Sequence, residues 1–407
     1  MRASGGGSSA ASPRRPGQGW QRLGLVLALC AALASGGCAW WRDGPAYYWQ
    51  SAAGHLSVMH RAQPIAELLA DPASSPALRE KLALVLQIRR FASASLGLPD
   101  NGSYLRYADL KQPYVLWNVF AARPLSLQLR QWCFPVAGCV SYRGYYDRAD
   151  AEAYAQQLRQ AGWETYVGGV PAYSTLGWFD DPVLSTFIGQ PEGELARLLF
   201  HELAHQQLYV SGDSTFNESF ATAVEQIGVE RWFAERQARG DGHAAHEAWK
   251  RHAPRRAQFV ALLMRHRASL EAVYASALPD ADKLAAKAAI FEALRRDYAQ
   301  LRIEWGGYAG YDRWFAQPLT NAHLASVSTY SEQVPAFHAL LAAHGGDLPR
   351  FYEAARRLGA QPKAQRDAAL AALMQEMPAA PATQSTQSTE STQAAESSTS
   401  RPAAPAR

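Results

Sequence analysis

Net charge is almost absent from this chain. Across 407 residues, 40 lysines and arginines face 36 aspartates and glutamates, which leaves +4. The arginines are spread through amphipathic helical stretches such as 254–275 and 284–300 and read as solvated helix faces, so nothing argues for a nucleic-acid partner. Cysteine is scarce too, with four in all. Two of them, Cys30 and Cys38, sit near the N-terminus. The other two, Cys133 and Cys139, are too few for a cysteine-based zinc site, which would need more ligands than that neighbourhood offers. The apolar run from Leu23 to Leu33 is too short for an ordinary membrane span. No linker rich in Gly, Ser or Pro interrupts residues 38–378, so that stretch forms one large domain or two close-packed ones.

The two ends carry their own signals. Arg14, Arg15 and Arg22 make a basic region ahead of the apolar run, which closes on Ala34-Ser35-Gly36-Gly37-Cys38. Small residues before a cysteine resemble a bacterial lipobox, with Ser35 in place of the usual leucine. Residues 1–37 are expected to be a lipoprotein signal peptide, with Cys38 the acylated first residue of the mature protein. Simple secretion is the alternative. The Arg14-Arg15 pair fits a twin-arginine signal poorly, because Pro16 and the residues after it do not match. The expected place is the bacterial cell envelope, lipid-anchored to a membrane and facing the periplasm. Cys30 would leave with the signal. In that oxidising compartment Cys133 and Cys139 can form a disulfide that fixes a turn between two strands; two free buried thiols are the alternative. Beyond about Pro378 the chain is Ala, Pro, Ser, Thr, Gln and Glu without aromatics. Residues 379–407 cannot bury enough surface to order themselves and read as a disordered tail.

The chemistry is concentrated in His201-Glu202-Leu203-Ala204-His205 and Asn217-Glu218-Ser219-Phe220-Ala221. On a helix His201 and His205 lie one turn apart on one face, so both imidazoles can reach one Zn²⁺. Glu202 stands between them, where a carboxylate can take a proton from a water held by the metal. Upstream, Pro191 suits a first helical turn, and Glu192 and Glu194 favour the positive N-terminal end. Leu195, Leu198, Leu199 and Leu203 supply an apolar set at helical spacing. Two buried histidines beside a buried glutamate would be costly without a metal or partners.

Gly212-Asp213-Ser214-Thr215 reads as a turn and the start of a second helix, which runs on through Trp232. The interval from His205 allows an antiparallel return that brings Glu218 back as the third ligand, with the fourth position open to water. Asp213 is the rival ligand, but a helix-borne carboxylate is better fixed than one in a glycine turn. Glu225 is two turns further along the same face. It can orient a ligand histidine by accepting its second N–H, or it can pair with an arginine.

The arrangement resembles the gluzincin metallopeptidases, in which H-E-x-x-H is followed by N-E-x-x-[AS] carrying the third ligand. The spacing between the two motifs is shorter than in the thermolysin and aminopeptidase N groups. From about Tyr47 to about Leu358 the chain is similar to a bacterial family of zinc aminopeptidases, often lipoproteins. The likeness rests on Tyr47-Tyr48-Trp49-Gln50, Leu98-Pro99-Asp100-Asn101-Gly102-Ser103-Tyr104, Trp132-Cys133-Phe134-Pro135, Gly138 to Tyr145, and Gly168 to Gly177. It implies a zinc-dependent peptidase acting on peptides or proteins.

Pattern reading gives helices near 46–70, 76–96 and 148–161 and strands near 114–121, 131–142 and 165–172, with nearly everything helical from 191 onward. The expected fold class is α+β, predominantly helical, with a small antiparallel sheet beside the motif helix, as in zincins. Glu202 would act as general base and then deliver the proton to the leaving amine. An oxyanion donor is needed opposite the metal; Tyr330 is the first candidate and His323 the second. The stretch Val167 to Tyr173 reads as an edge strand able to pair with a peptide. Asp180 and Asp181 are candidate anchors for a free amine. The twelve tryptophans and eighteen tyrosines suggest a large core and a lined cleft. A zinc aminopeptidase of the envelope is the first functional expectation. A zinc endopeptidase and a non-catalytic zinc-binding lipoprotein are the alternatives.

Overall fold

The computed structural model describes residues 44–134, 138–328 and 332–375. The expected signal segment 1–37, Cys38 and the tail 379–407 lie outside the described residues, as does Tyr330. No described helix is long and apolar enough to cross a membrane.

Helix α1 spans Pro45–Arg61. The single helix expected over 46–70 is broken, because Pro64 disfavours helical backbone at Gln63. Gln63–Pro64 instead form a two-residue strand, β1, before a short helix α2 at Ile65–Ala70. Helix α3, Pro76–Ala94, is capped by Ser75, whose hydroxyl accepts from the Leu78 N–H. Strand β2, Arg106–Ala108, pairs antiparallel with β1 and parallel with β8, Val183–Leu184.

Central strand β3, Leu116–Ala122, lies between β6, Arg143–Tyr145, and β7, Glu164–Val170, and is antiparallel to both. A third sheet is the pair β4, Trp132–Phe134, and β5, Gly138–Val140, in which Cys133 faces Cys139 and the two are joined by a disulfide. Among the described residues the expected small antiparallel pairing is distributed over three sheets, with one parallel pairing, β2 with β8. Helix α4, Arg148–Gln160, is capped by Asp147 and buries Ala151, Ala155 and Leu158 with Trp117 and Val119 of β3.

The helical remainder runs α5 Glu192–Gln207, α6 Ser214–Ala238, α7 His243–Ala275, α8 Asp280–Glu304, α9 Asp312–Phe315, α10 Asn321–Ser328, α11 Val334–Ala343, α12 Leu348–Gly359 and α13 Lys363–Gln375. The chain is thus α+β and mostly helical. The main core gathers Phe200, Phe216, Phe220, Phe337 and Phe351 from α5, α6, α11 and α12, all essentially inaccessible. Each such ring contributes about 1.5–3 kcal/mol through burial. A second cluster fills the α7–α8 hairpin, with Phe259, Leu263, Phe291 and Tyr298. Helices α5 and α6 approach closely because Gly228 has no side chain: a Cβ there would stand 2.6 Å from the Phe200 ring.

Candidate metal centre

The metal cluster grows from the α5–α6 hairpin. Leu195, Leu198, Leu199 and Leu203 fix one face of α5 in the core. His201 and His205 project from the neighbouring stripe, one turn apart. The turn after α5 is locked by Asn217, whose amide oxygen accepts from the Val210 N–H at 2.7 Å and whose amide nitrogen donates to the Val210 carbonyl at 2.8 Å. That clamp places the next residue, Glu218, opposite the histidines. His201 Nε2 lies 3.3 Å from Glu218 Oε2 and 3.2 Å from His205 Nε2. His205 Nε2 is 3.6 Å from the same carboxylate oxygen.

These residues fit a bound cation. One ligand atom from each of His201, His205 and Glu218 lies within 4.8 Å of the others. His205 Nδ1 is buried with no partner, so a neutral imidazole can carry its proton there and leave Nε2 as a lone pair aimed into the cluster. Two such lone pairs and a carboxylate converging on one point are a stable arrangement only around positive charge. Two imidazoles with one carboxylate are the donor set that suits zinc in a site with an open position.

Glu225 is 1% exposed and serves three cations at once. Its Oε2 accepts from His201 Nδ1 at 3.0 Å and from Arg197 Nη1 at 2.9 Å, and Arg256 Nη1 stands 3.4 Å from its Oε1. It both orients a histidine and pairs with arginine, the two roles its position allowed. Burial would raise the carboxyls of Glu218 and Glu225, but the charges of His205 and of Arg197 respectively, helped by hydrogen bonds from the histidines, carry both down to about 2. Burial likewise opposes charge on His201, yet Glu218 and Glu225 lift it to about 10 without a metal. Glu202 differs. Burial lifts its carboxyl above the usual range, His201 and His205 pull it back, and Glu218 and Glu225 add to the rise.

His201, Glu202, His205 and Glu218 open into a cleft of about 460 Å³. Its opposite wall is aromatic: Tyr47, Tyr142, Tyr146 and Tyr173 line it, with Pro171, Ala172 and Ser174.

Other expectations need correction. Asp213 is no ligand; its Oδ1 caps α6 at the Phe216 N–H, and its Oδ2 receives Arg366 at 2.6 Å and Lys363 at 3.1 Å. His323 does not line the cleft. It is 2% exposed, its Nδ1 meets the Thr320 N–H and hydroxyl, and its ring lies 4.2 Å from that of Tyr166 on the sheet. Burial and Arg295 lower it to about 3, so it stays a neutral packing residue. β7 is an edge strand, as read, but it ends at Val170, and its glycines make room for protein side chains. A Cβ on Gly169 would stand 2.3 Å from the Tyr114 ring. Asp181 braces the loop after β7, with its Oδ2 accepting from the Thr175 N–H at 2.8 Å and hydroxyl at 3.0 Å. The Asp180 carboxylate packs over Gly102. Neither aspartate is among the described residues that line the cleft.

Among the cleft residues that escaped sequence reading are Tyr142, Arg197 and Arg256. Tyr142 sits within the segment Gly138 to Tyr145 that carries the family likeness, which was its available signal. The two arginines looked like ordinary helix-surface charges.

A family model described as "Putative aminopeptidase" matches residues 46–370. No curated protein and no solved structure matches the chain.

Proposed function

The chain belongs to the family described as "Putative aminopeptidase", and from that membership we propose that it hydrolyses peptide bonds with the help of one zinc ion held by His201, His205 and Glu218. The observation that carries the reading is the convergence of those three ligand atoms within 4.8 Å, with Glu202 in the same cleft. Zinc in such a site supplies Lewis acidity and makes water acidic near neutral pH. The protein does the rest. Glu202, buried and raised, accepts a proton from the attacking water and passes it to the leaving nitrogen. Glu225 holds His201 by its Nδ1, so that Nε2 faces the cluster. Tyr142 donates a hydrogen bond from its hydroxyl to the carbonyl oxygen as that oxygen gains charge. Burial, with Glu218, Tyr209 and Glu202 nearby, raises this phenol far above its ordinary value and keeps it a donor. The aromatic wall holds apolar substrate side chains and excludes water.

The experiment is a peptide-library digest by zinc-loaded wild type and Glu202→Gln, read by mass spectrometry, with N-acetylated peptides included. Trimming that requires a free amine supports an aminopeptidase; internal cuts in acetylated peptides support an endopeptidase. A wild type inert toward the whole library removes the catalytic reading and favours a non-catalytic zinc protein. The expected signal peptide 1–37, with Cys38 directly after it, is the basis for proposing a lipid-anchored enzyme of the cell envelope. Loss of membrane association in Cys38→Ala is the expected result.

A further inference from the structure

The catalytic steps above leave Arg256 without a task. It projects from α7 into the cleft beside Arg197, Leu198 and His201. Its neighbour Arg197 is spoken for, with Nε on Glu194 at 2.8 Å and Nη1 on Glu225 at 2.9 Å. Among the described residues the one ion pair of Arg256 is with Glu225, at 3.4 Å, and its side chain is 36% exposed. A guanidinium has five donors, and the side chain lines the cleft with one of them on Glu225. The two guanidinium groups are close enough that repulsion from Arg197 is the first cause lowering Arg256 from its usual value. An anion beside them would relieve that repulsion.

Position defines what the anion belongs to. Arg197 precedes His201 by four residues, about 6 Å along the helix axis. Two extended peptide residues span about the same length. At the other end of α5, Gln206 approaches the loop at Gly177, close to Ser174 and Leu176 of the cleft wall. The cleft therefore runs along α5 with its cationic end one helical turn from the metal ligands.

Building on the peptidase reading, we propose that Arg256 binds a carboxylate of the peptide substrate, about two residues beyond the scissile bond, and so selects short peptides with a free C-terminus. An acidic side chain at that place would offer the same chemistry. The planar fork accepts a carboxylate through two parallel hydrogen bonds, and Glu225 fixes its orientation.

Binding to zinc-loaded Glu202→Gln protein, measured by titration calorimetry, tests this without turnover. Three probes are compared: leucyl-leucyl-leucine, its C-terminal amide, and leucyl-leucyl-glutamic acid with its α-carboxyl amidated. The free acid is expected to bind at least tenfold more tightly than the amide. Adding Arg256→Gln should weaken the free acid about 10–100-fold and leave the amide unchanged, while Arg256→Lys restores part of the loss. Metal content and melting temperature show that the variants remain folded. If the amidated glutamyl probe matches the free acid, the carboxylate is a side chain; if it matches the plain amide, it is the terminus. Equal binding of acid and amide, equal losses for both in Arg256→Gln, or no binding of any probe would overturn the proposal. A wild type that cleaves nothing, with the acid preference intact, would remove the catalytic reading and leave Arg256 as a carboxylate site.

Discussion

Replacing Glu225 by glutamine should damage the metal centre more than replacing the catalytic carboxylate. Glu225 is 1% exposed, and its Oε2 takes both His201 Nδ1 at 3.0 Å and Arg197 Nη1 at 2.9 Å. A glutamine is neutral with one acceptor oxygen, and its NH₂ group only donates, so it must set a donor against His201 and Arg197 or against Arg256. Two charge-assisted bonds are compromised, each contributing about 1.5–3 kcal/mol. Breaking a buried ion pair while its partner stays costs about 3–5 kcal/mol, and Arg197 retains Glu194, so the lower end applies to stability. His201 then loses the group that fixes its ring, which should weaken zinc about 10–100-fold. The assays are zinc titration against a competing chelator and thermal melting with and without zinc. Glu202→Gln is the control, since Glu202 touches neither His201 Nδ1 nor Arg197, and it should hold zinc like the wild type. Wild-type zinc affinity and melting temperature in Glu225→Gln would refute the reasoning.

Tyr142→Phe should retain zinc and lower kcat about 10²–10³-fold with little change in KM, as expected for a donor used only in the transition state; a loss confined to KM would contradict that role. Asp213→Asn should cost about 3 kcal/mol near neutral pH, because it leaves the buried Arg366 guanidinium without its charged partner, while the asparagine oxygen can still cap α6. Burial would raise the Asp213 carboxyl, but Arg366 and Lys363 bring it below the ordinary value. Its stabilising effect is therefore complete above the unfolded carboxylate range and is lost as pH falls through the depressed folded value. The gap between wild type and Asp213→Asn in urea melts should close on acidification below about pH 4; a gap that widens there would be the contrary sign. Gly228→Ala should destabilise by about 1–3 kcal/mol by forcing a methyl against the Phe200 ring between α5 and α6. Cys133→Ser should cost about 2 kcal/mol from its short loop and leave zinc binding intact, read by melting and metal analysis.

The ligand helix was legible because local signals agreed there. Pro191, two early glutamates and a leucine set at helical spacing all point to one buried helix, and one turn separates the histidines. Glu218 was readable from the interval and from its place on a helix, and Asn217 locks the turn that the interval only permits. Asp213 was ambiguous because a carboxylate at a helix start can cap, ligate or pair, and its partners Lys363 and Arg366 lie some 150 residues away. Arg256 and Tyr142 were illegible for the same reason. Nothing near them in sequence says that α7 and the β5–β6 connection meet across α5. His323 carried the right chemistry for a donor, but α10 lies against the sheet at Tyr166, and that packing has no local signature. The glycines of β7 announced close approach correctly; what approaches is Tyr114, contributed by the segment that leads into β3.

The claim at the centre is that Glu202 moves the proton in a metal-assisted hydrolysis built on His201, His205 and Glu218. Its most direct test is the mass-spectrometric peptide digest by wild type and Glu202→Gln carrying equal zinc. The account predicts cleavage by the wild type and its loss in the variant by several orders of magnitude, with metal content unchanged. Equal cleavage by the two proteins would contradict it.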